Sequence, residues 1–469
     1  MLRFFLAAVL LVISTNFLHA AETAPLSLHP DNPHYFSYKG KPTVLVTSGE
    51  HYGAVLNLDF DFVKYLETLA RNGLNNTRIF TGVYAEPVGA FNIVGNTLAP
   101  KQGRLISPWA RSDQPGYANG GNKFDLTRWN PEYFERLKKF VAEADKHDII
   151  VELALFCPMY EDGMWDLSPM NAANNVNGIG NVGKHEVYTL DKEPTLLKIQ
   201  EKVTRKIVQE LNGFDNLYYE ICNEPYFGGI TMEWHDRIVD VIRETESPLA
   251  KKHLISWNVQ NGSAKVENPH PGLSIFNFHY ASPPITVAMN YGLNKPIGLN
   301  ETGFKGNDDE YYRNEAWEFI LAGGAIYNNL DYSFTVDTPD GSAVPTAPTP
   351  GGGGVTFRKQ MSVLKRFIES FDFIKMKPDP DFVEGDGDYT LSEPGKQYAV
   401  FLRESKGKVL RLNLPKGEYA GSWLNPVDGS RVEISSGYSH SGGIVELRVP
   451  ESFDKGVALQ IVSVALLTR

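Results

Sequence analysis

The sequence predicts an α/β fold, a (β/α)8 TIM barrel followed by a small C-terminal antiparallel β-sandwich. Short apolar runs alternate with amphipathic helical patterns from about residue 43 to residue 370. Two of these apolar runs end in a glutamate. From about residue 375 the pattern changes to short strands separated by Gly and Pro turns. These features predict a barrel domain over 21–372 and a sandwich domain over 375–469.

The first twenty residues are predicted to be a signal peptide and not part of the fold. Arg3 supplies a positive start, and residues 4–13 form an apolar core that is too short to span a bilayer. Leu18-His19-Ala20 then fits a small-residue cleavage site. We expect export to a periplasm or beyond, and no later segment reads as a membrane span.

The composition narrows the classes of partner and cofactor. The chain has 469 residues, 42% of them apolar and 22% charged, as in ordinary soluble proteins. Its net charge of −11 argues against nucleic acid and is compatible with a neutral glycan. Cys157 and Cys222 make no metal signature, and two buried thiols are favoured over a disulfide. The oligomeric state is not indicated.

The first predicted strand, 43–47, leads directly to candidate site residues. The alternating aromatic residues of 32–42 predict a hairpin that seals the opposite end of the barrel. Functional groups of such barrels lie at the carboxyl ends of the strands. His51 and Tyr52, just after the first strand, should therefore border the site, although His51 would also suit a hydrogen-bonded wall.

A helix and the second strand follow. Apolar residues recur at helical spacing over 59–72, and Gly73 follows at the position typical of a helix end. Residues 74–80 are the second predicted strand and carry Arg78. Arg78 is a candidate site residue, with a structural ion pair as the alternative.

Two long loops, 81–125 and 157–190, are predicted to form the rim of the site, because loops of this length in compact domains are usually functional. Between them, Asn130-Pro131 is typical of a helix start and 149–156 of a buried strand. Trp165 in the second loop either offers an aromatic face to a ligand or plugs the loop into the barrel.

The segment Asn216–Pro225, NLYYEICNEP, predicts a strand that is buried on both faces and delivers Glu224. Pro225 cannot donate a backbone hydrogen bond, so it should end the strand and hold Glu224 extended. Residues 296–300 deliver Glu301 in the same way, 301 − 224 = 77 residues later. Retaining glycoside hydrolysis needs two such carboxylates about 5 Å apart, one protonated and one ionised. A strand-end ion pair is the alternative for Glu224.

Other strand ends complete the candidate site. They contribute Trp257 after the fifth strand, His279 and Tyr280 in the sixth, and Asp331 and Tyr332 after the eighth.

These positions resemble the retaining glycoside hydrolases of clan A, (β/α)8 enzymes that include many cellulases and mannanases. Within that clan, cellulase-like bacterial proteins with a C-terminal β domain are the most similar. Asn223-Glu224-Pro225 resembles the acid/base motif of the clan, and Glu301 resembles its nucleophile. The resemblance implies that Arg78 and Tyr280 bind Glu301 and keep it ionised, and that Asn223 bonds the sugar 2-hydroxyl.

The resemblance also implies that His279 lines the site. It fails at the end of the eighth strand, where many members of the clan carry a Trp and this chain has Asp331 and Tyr332.

The implied function is retaining hydrolysis of a poly- or oligosaccharide, with no metal or cofactor. A transglycosylase and a non-catalytic glycan-binding barrel remain alternatives. A metal-dependent lyase or esterase is disfavoured, because the sequence has neither a nucleophile elbow nor a His/carboxylate ligand cluster. The sugar, the linkage and the choice between endo and exo action stay open. The C-terminal domain is predicted to brace the barrel more readily than to bind carbohydrate.

Overall fold

The computed structural model describes residues 24–385 and 388–467. The predicted signal peptide, 1–20, lies outside the described residues. None of the helices in the described part of the chain is long and apolar enough to cross a membrane.

A parallel barrel sheet forms the centre of the protein. Within the described residues it has eight strands, all buried or nearly so: β1 (Leu45–Gly49), β2 (Asn76–Phe80), β3 (Ile150–Phe156), β4 (Leu217–Cys222), β5 (Ile255–Asn261), β6 (Ile275–His279), β7 (Ile297–Glu301) and β8 (Ile326–Leu330). Their order in the sheet is β1-β8-β7-β6-β5-β4-β3-β2, with every pair parallel. The predicted (β/α)8 fold is therefore confirmed.

One side chain closes the barrel where β1 meets β2. The Asn75 Oδ1 accepts a hydrogen bond from the Val46 N–H at 3.0 Å. Its Nδ2 donates to the Val44 carbonyl at 2.9 Å. The amide of Asn75 thus satisfies β1 backbone groups that a neighbouring strand would otherwise pair.

Helices cover the outside of the sheet. They are α1 (Phe62–Arg71), α2 (Pro131–Lys146), α3 (Pro194–Leu211), α4 (Met232–Glu246), α5 (Ile285–Asn290), α6 (Asp309–Leu321) and α7 (Val355–Glu369). The predicted start of α2 is confirmed, because the Asn130 Oδ1 accepts from the Glu132 N–H at 3.1 Å with Pro131 in the first turn. Gly73, after α1, has the positive φ of 68° expected at a helix end.

The predicted N-terminal hairpin covers the amino end of the barrel. It is built from Phe36–Tyr38 and Lys41–Thr43, with Ser27–Leu28 as a third antiparallel strand. The Tyr38 hydroxyl donates to Asp145 at 2.8 Å. Asp145 lies at the end of α2, which leads into β3, so the hairpin is attached to the end of the barrel opposite the predicted site.

The two long loops contain regular structure of their own. The first carries a hairpin of Trp109–Pro115 with Asn122–Trp129, and the second carries a short helix, Asp162–Leu167. Short 3-10 turns lie in these loops and elsewhere in the chain: Ala90–Asn92, Ala172–Asn174, Lys184–Glu186, Tyr291–Leu293 and Phe373–Lys375.

The C-terminal strands form two antiparallel sheets. They are β9 (Lys377–Pro378), β10 (Asp388–Glu393), β11 (Gln397–Leu402), β12 (Val409–Leu414), β13 (Gly417–Leu424), β14 (Arg431–His440), β15 (Gly443–Arg448) and β16 (Val457–Ser463), followed by a short helix, Val464–Leu467. One sheet has the order β9-β10-β11-β16-β13-β14, and the other pairs β12 with β15. Apolar side chains from both sheets share one core, as a sandwich requires. β14 is largely exposed, although Val432, Ile434 and Tyr438 alternate with polar residues along it.

The sandwich packs against α6 of the barrel. The ring of Trp317 stacks on that of Phe401, with centroids 5.3 Å apart. The guanidinium of Arg403 donates to both carboxylate oxygens of Glu318, at 2.6 and 2.7 Å. Consequently α6 is buried on nearly every face, although its sequence does not separate apolar from polar residues. This packing is what the predicted brace requires.

Burial of Glu315 in α6 makes the stability of the fold depend on pH. Burial raises the pKa of Glu315 to about 7, from an ordinary value of 4.5. Between these values the folded chain binds more protons than the unfolded chain, so the free energy of unfolding falls as pH rises. We predict that Glu315→Gln removes this loss, which amounts to at most about 3 kcal/mol.

Urea unfolding at pH 4.5 and pH 7 measures this effect. The exposed Glu67→Gln on α1 is the matched control and should leave the pH dependence as in the wild type. An equal pH dependence in Glu315→Gln and the wild type would contradict the assignment.

Candidate active site

Two buried glutamates face one cavity at the carboxyl ends of the strands. The cavity has a volume of about 520 Å³ and is lined by both Glu224 and Glu301. Each of these residues is only 6% exposed. A carboxylate oxygen of one lies within 4.8 Å of a carboxylate oxygen of the other. The barrel therefore brings together the two acidic groups that the sequence places 77 residues apart (301 − 224).

Glu301, the last residue of β7, is held by a cation and two phenols. The Arg78 Nη1 and the Tyr52 hydroxyl donate to its Oε2 at 3.1 and 2.9 Å. The Tyr280 hydroxyl donates to its Oε1 at 2.7 Å. Hydrogen bonds and a fixed positive charge of this kind favour the ionised carboxylate. Arg78 and Tyr280, which the resemblance implies as partners of Glu301, both contact it, and so does Tyr52, which was expected only to border the site.

Arg78 lies in the middle of β2, not at its end, and its side chain is fully buried inside the barrel. Its Nη2 donates to Glu220 and, at 2.6 Å, to the Asn223 Oδ1. Burial alone would lower the pKa of Arg78, but the nearby Glu220 and Tyr52 raise it well above its ordinary value. Arg78 is therefore a permanent cation beneath the two carboxylates.

The backbone at Glu224 differs from the prediction. Glu224 lies two residues beyond the end of β4 and has a φ of 37°, so it is left-handed and not extended. Its N–H donates to the Asn258 Oδ1 on β5 at 3.0 Å. A tertiary contact thus outweighs the local preference that Pro225 imposes. Tyr52 and Tyr280 also have positive φ, so the strained residues cluster around the carboxylates.

Three side chains, one histidine and two tyrosines, surround the Glu224 carboxylate. Its Oε1 lies 2.8 Å from the His279 Nδ1 and accepts from the Tyr226 hydroxyl at 3.1 Å. Its Oε2 accepts from the Tyr160 hydroxyl at 2.6 Å. Burial raises the pKa of Glu224, but these contacts, led by that of His279, outweigh burial and lower it. The His279 Nδ1 also lies 3.4 Å from Glu301.

A third carboxylate, that of Glu86, also lines the cavity. The His51 Nε2 is 3.3 Å from the Glu86 Oε2, and both residues line the cavity as buried groups. Asn96 donates to the same oxygen of Glu86 at 2.6 Å, and the Tyr84 hydroxyl donates to its Oε1 at 3.1 Å. Burial lowers the pKa of His51, but the charge of Glu86 and its hydrogen bond more than compensate and raise it.

The structure corrects three of the predicted site residues. Trp165 is buried and its Nε1 donates to the Val182 carbonyl at 2.9 Å, so it plugs its loop. Trp257 lies within β5 and packs on His235 of α4, with ring centroids 5.8 Å apart, because alternate strand residues face the helices. The buried Asp331 accepts hydrogen bonds from Ser48, Ser333 and Arg358 and is structural.

Tyr332 lies behind the cavity wall. Its ring centroid is 6.1 Å from that of His51 and 6.3 Å from that of Phe304, and both of these residues line the cavity. Its buried hydroxyl has no hydrogen-bond partner among the described residues.

Several residues of the cavity are missed by the sequence prediction. Phe227, which lines the cavity, and Tyr226, which contacts Glu224, directly follow the Asn223-Glu224-Pro225 motif, and this adjacency is a signal that could have identified them. Glu86 and Phe91 come from the long loop after β2. No periodicity in that loop indicates which of its side chains turn inward. Both cysteines are buried and free, as favoured, and Cys157 lines the cavity.

The triad Glu224, His279 and Glu301 also has the spacing of a metal site, since one donor atom of each lies within 4.8 Å of the others. Its surroundings do not suit a cation. The guanidinium of Arg78 already lies 3.1 Å from Glu301, and tyrosine hydroxyls occupy the remaining carboxylate oxygens. The arrangement suits proton transfer and nucleophilic attack by carboxylates.

The contacts of Glu224 generate a prediction about its titration. We predict that His279→Ala raises the pKa of Glu224 because it removes the contact that lowers this pKa most. Tyr226→Phe removes only a hydroxyl donor and should raise it less. Carbon-13 NMR of labelled glutamate carboxyls over a pH series, assigned with Glu224→Gln, measures both changes. Tyr332→Phe is the control, and a Glu224 titration unchanged by His279→Ala would contradict the assignment.

Comparison with known proteins agrees with the fold. Residues 104–324 match the family model for cellulase (glycosyl hydrolase family 5). No curated protein matches the sequence. A candidate glycoside hydrolase from Bacteroides vulgatus ATCC 8482 superimposes with a TM-score of 0.69 at 14% identity, over 94% of this chain and 82% of that one.

Two further solved structures share the fold. A glycoside hydrolase family 5 protein from Bacteroides vulgatus ATCC 8482 has a TM-score of 0.63 at 14% identity, over 94% of both chains. A family 5 mannosidase from Rhizomucor miehei has a TM-score of 0.50 at 14% identity, over 75% of this chain and 98% of that one. With this match over residues 104–324 and its barrel, the chain is a glycoside hydrolase whose barrel is similar to the cellulase domain of family 5.

Proposed function

We propose that this enzyme cleaves O-glycosidic bonds of a poly- or oligosaccharide with retention, through double displacement by Glu301 and Glu224. The separation of their carboxylates is the observation that carries the proposal. One carboxylate oxygen of Glu224 lies within 4.8 Å of one carboxylate oxygen of Glu301. Retaining enzymes hold their carboxyl groups about 5–5.5 Å apart, whereas inverting enzymes need about 6.5–9.5 Å to admit a water.

The contacts of the two carboxylates assign their roles. Glu301 is bonded to the Arg78 guanidinium, so it is the group that stays ionised and attacks the anomeric carbon. Glu224 has tyrosine and histidine neighbours and no guanidinium contact. The proton that the pair shares therefore belongs on Glu224, which gives it to the leaving oxygen as the glycosyl ester forms on Glu301.

The charge of Glu301 controls the protonation of Glu224 through the cycle. Before attack, the negative carboxylate within 4.8 Å opposes a second charge, and a bound sugar adds to the burial of Glu224. After attack, the ester on Glu301 is neutral and this repulsion is gone. The contacts with His279, Tyr160 and Tyr226, which lower the pKa of Glu224, then favour the carboxylate that deprotonates the incoming water.

Asn223 connects the two sides of the site. Its Oδ1 accepts from Arg78 at 2.6 Å and its Nδ2 donates to the Tyr160 hydroxyl at 2.8 Å. Because Asn223 also lines the cavity, we propose that it bonds the sugar 2-hydroxyl, where contacts strengthen in the transition state.

We also propose that the enzyme acts outside the cytoplasm. The support is the N-terminal sequence alone, in which Arg3, the apolar residues 4–13 and the Leu18-His19-Ala20 segment have the order of an export signal. A polysaccharide substrate fits this location.

Substitution of each carboxylate tests the mechanism. Glu224→Gln should lower kcat by roughly 10²–10⁴-fold, the usual contribution of acid–base catalysis. Glu301→Gln should lower it further, since no ester then forms. With aryl glycosides whose leaving group departs without a proton, azide should restore turnover to Glu224→Ala, where it replaces the water that needs a base, and give a glycosyl azide. The assays use β-linked gluco-, manno- and galacto-oligosaccharides and an arabino-oligosaccharide.

Glu161→Gln, an exposed loop residue outside the cavity, is the control and should keep wild-type turnover. Proton NMR of the first-formed product should show the anomer of the substrate. The opposite anomer, or full turnover by Glu301→Gln, would refute double displacement, and products longer than the substrate would identify a transglycosylase.

A further inference from the structure

We propose that the cavity is closed on its sugar side, so that the enzyme removes one neutral terminal sugar at a time from a chain end. Internal cleavage of a polymer is thereby excluded. This inference rests on the proposed function and adds the mode of attack and the residues that impose it.

The positions of the two carboxylates define the sides of the cavity. Glu301 attacks the anomeric carbon and Glu224 protonates the departing oxygen, so the transferred sugar lies on the Glu301 side. His51 belongs to that side, since its ring centroid lies 5.5 Å from that of Tyr52, whose hydroxyl donates to Glu301 at 2.9 Å. Tyr226 contacts Glu224 and belongs to the side of the leaving group.

Exposure of the lining residues differs sharply between the two sides. On the sugar side, Glu86 and Leu98 are 4% and 0% exposed. On the leaving-group side, the lining residue Phe227 is 42% exposed. A groove that admits the middle of a polymer would be open at both ends, and the burial of Glu86 and Leu98 supports closure at one of them.

The loop that closes the sugar side is fixed to the barrel. The Thr97 hydroxyl donates to the buried Glu50 at 2.5 Å, and the Asn57 Nδ2 donates to the Thr97 carbonyl at 3.0 Å. A Cβ at Gly53 would lie 2.2 Å from the Thr97 carbonyl, so only glycine allows the loop to approach so closely. The closed end is therefore part of the folded structure.

Phe91 of the same loop reaches across the cavity. Its ring centroid is 5.5 Å from that of Tyr160, which bonds Glu224, and 6.3 Å from that of Phe304 beside β7. Its backbone has φ 52° and ψ 16°, a left-handed conformation that is strained for a residue other than glycine. The surrounding contacts hold this strained residue between the two walls of the cavity.

Glu86 and His51 supply the polar groups at the closed end. Their contact of 3.3 Å sets a carboxylate beside an imidazole, a pair that can accept from and donate to neighbouring sugar hydroxyls. Glu301 and Glu86 are each already paired with a basic side chain, and the Glu86–His51 pair suits the hydroxyls of an uncharged sugar. The terminal unit is therefore a neutral sugar.

Reducing-end-labelled gluco-, manno-, galacto- and arabino-pentaoses test the mode of attack. For the pentaose that is cleaved, the wild type should shorten the labelled chain one unit at a time and release only monosaccharide. Phe91→Ala should open the cavity and add internal cleavage products from the start of the reaction. Val88→Ala, 88% exposed in the same loop and not lining the cavity, should keep the wild-type pattern.

Glu86→Gln tests recognition of the terminal unit. It should lower kcat/KM on the cleaved pentaose at least tenfold, mainly through KM, because Glu86 touches the sugar and not the reacting atoms. Glu161→Gln is its control.

The outcomes separate this inference from the proposed function. Mixed internal products from the wild type, with loss of activity in Glu301→Gln, would overturn the closed cavity and leave double displacement intact. An unchanged product pattern in Phe91→Ala would overturn the role of Phe91. Inertness toward all four pentaoses would overturn the neutral terminal sugar. Activity that survives Glu301→Gln would overturn the proposed function itself.

Discussion

The buried guanidinium of Arg78 is the interaction on which the site depends. It bonds Glu301 directly, Glu220 deeper in the barrel, and the Asn223 Oδ1. A charge taken out of water needs partners, because an unpaired buried ion costs several kcal/mol. Asn300 donates to Glu220 at 2.9 Å and so holds that partner in place. Interior residues of separate strands are thereby arranged around one cation.

This interaction also makes the two catalytic carboxylates unequal. Arg78 contacts Glu301 at 3.1 Å but reaches Glu224 only through Asn223 and Tyr160, at 2.6, 2.8 and 2.6 Å in turn. Glu301, next to a fixed cation, stays charged, whereas Glu224, which has no guanidinium contact, can take up and release a proton. Closure of the barrel brings the carboxylates of Glu224 and Glu301 close together. The unequal contact with Arg78 makes Glu301 the nucleophile and Glu224 the acid and base.

The sequence revealed the residues of the site better than their local geometry. Buried strands that end in polar residues predicted Glu301, His279 and Tyr280, because strand ends meet at one face of a barrel. The backbone at Glu224 was mispredicted, since a hydrogen bond from a neighbouring strand decides it. For Trp165 the sequence left a ligand contact and a loop plug open, and the structure shows the plug, because an aromatic residue in a loop packs inward as readily as it faces solvent.

The fold, like the site, has features that local sequence predicts and features that depend on long-range contacts. Helix starts follow from local capping, as at Asn130, whereas the closed end of the cavity depends on long-range contacts of an aperiodic loop. The most direct test of the account is covalent capture. A panel of 2-deoxy-2-fluoro-glycosyl fluorides should add one sugar mass to the wild type, and peptide mapping should place it on Glu301. An adduct on Glu224, or an unchanged adduct in Glu301→Gln, would contradict the account.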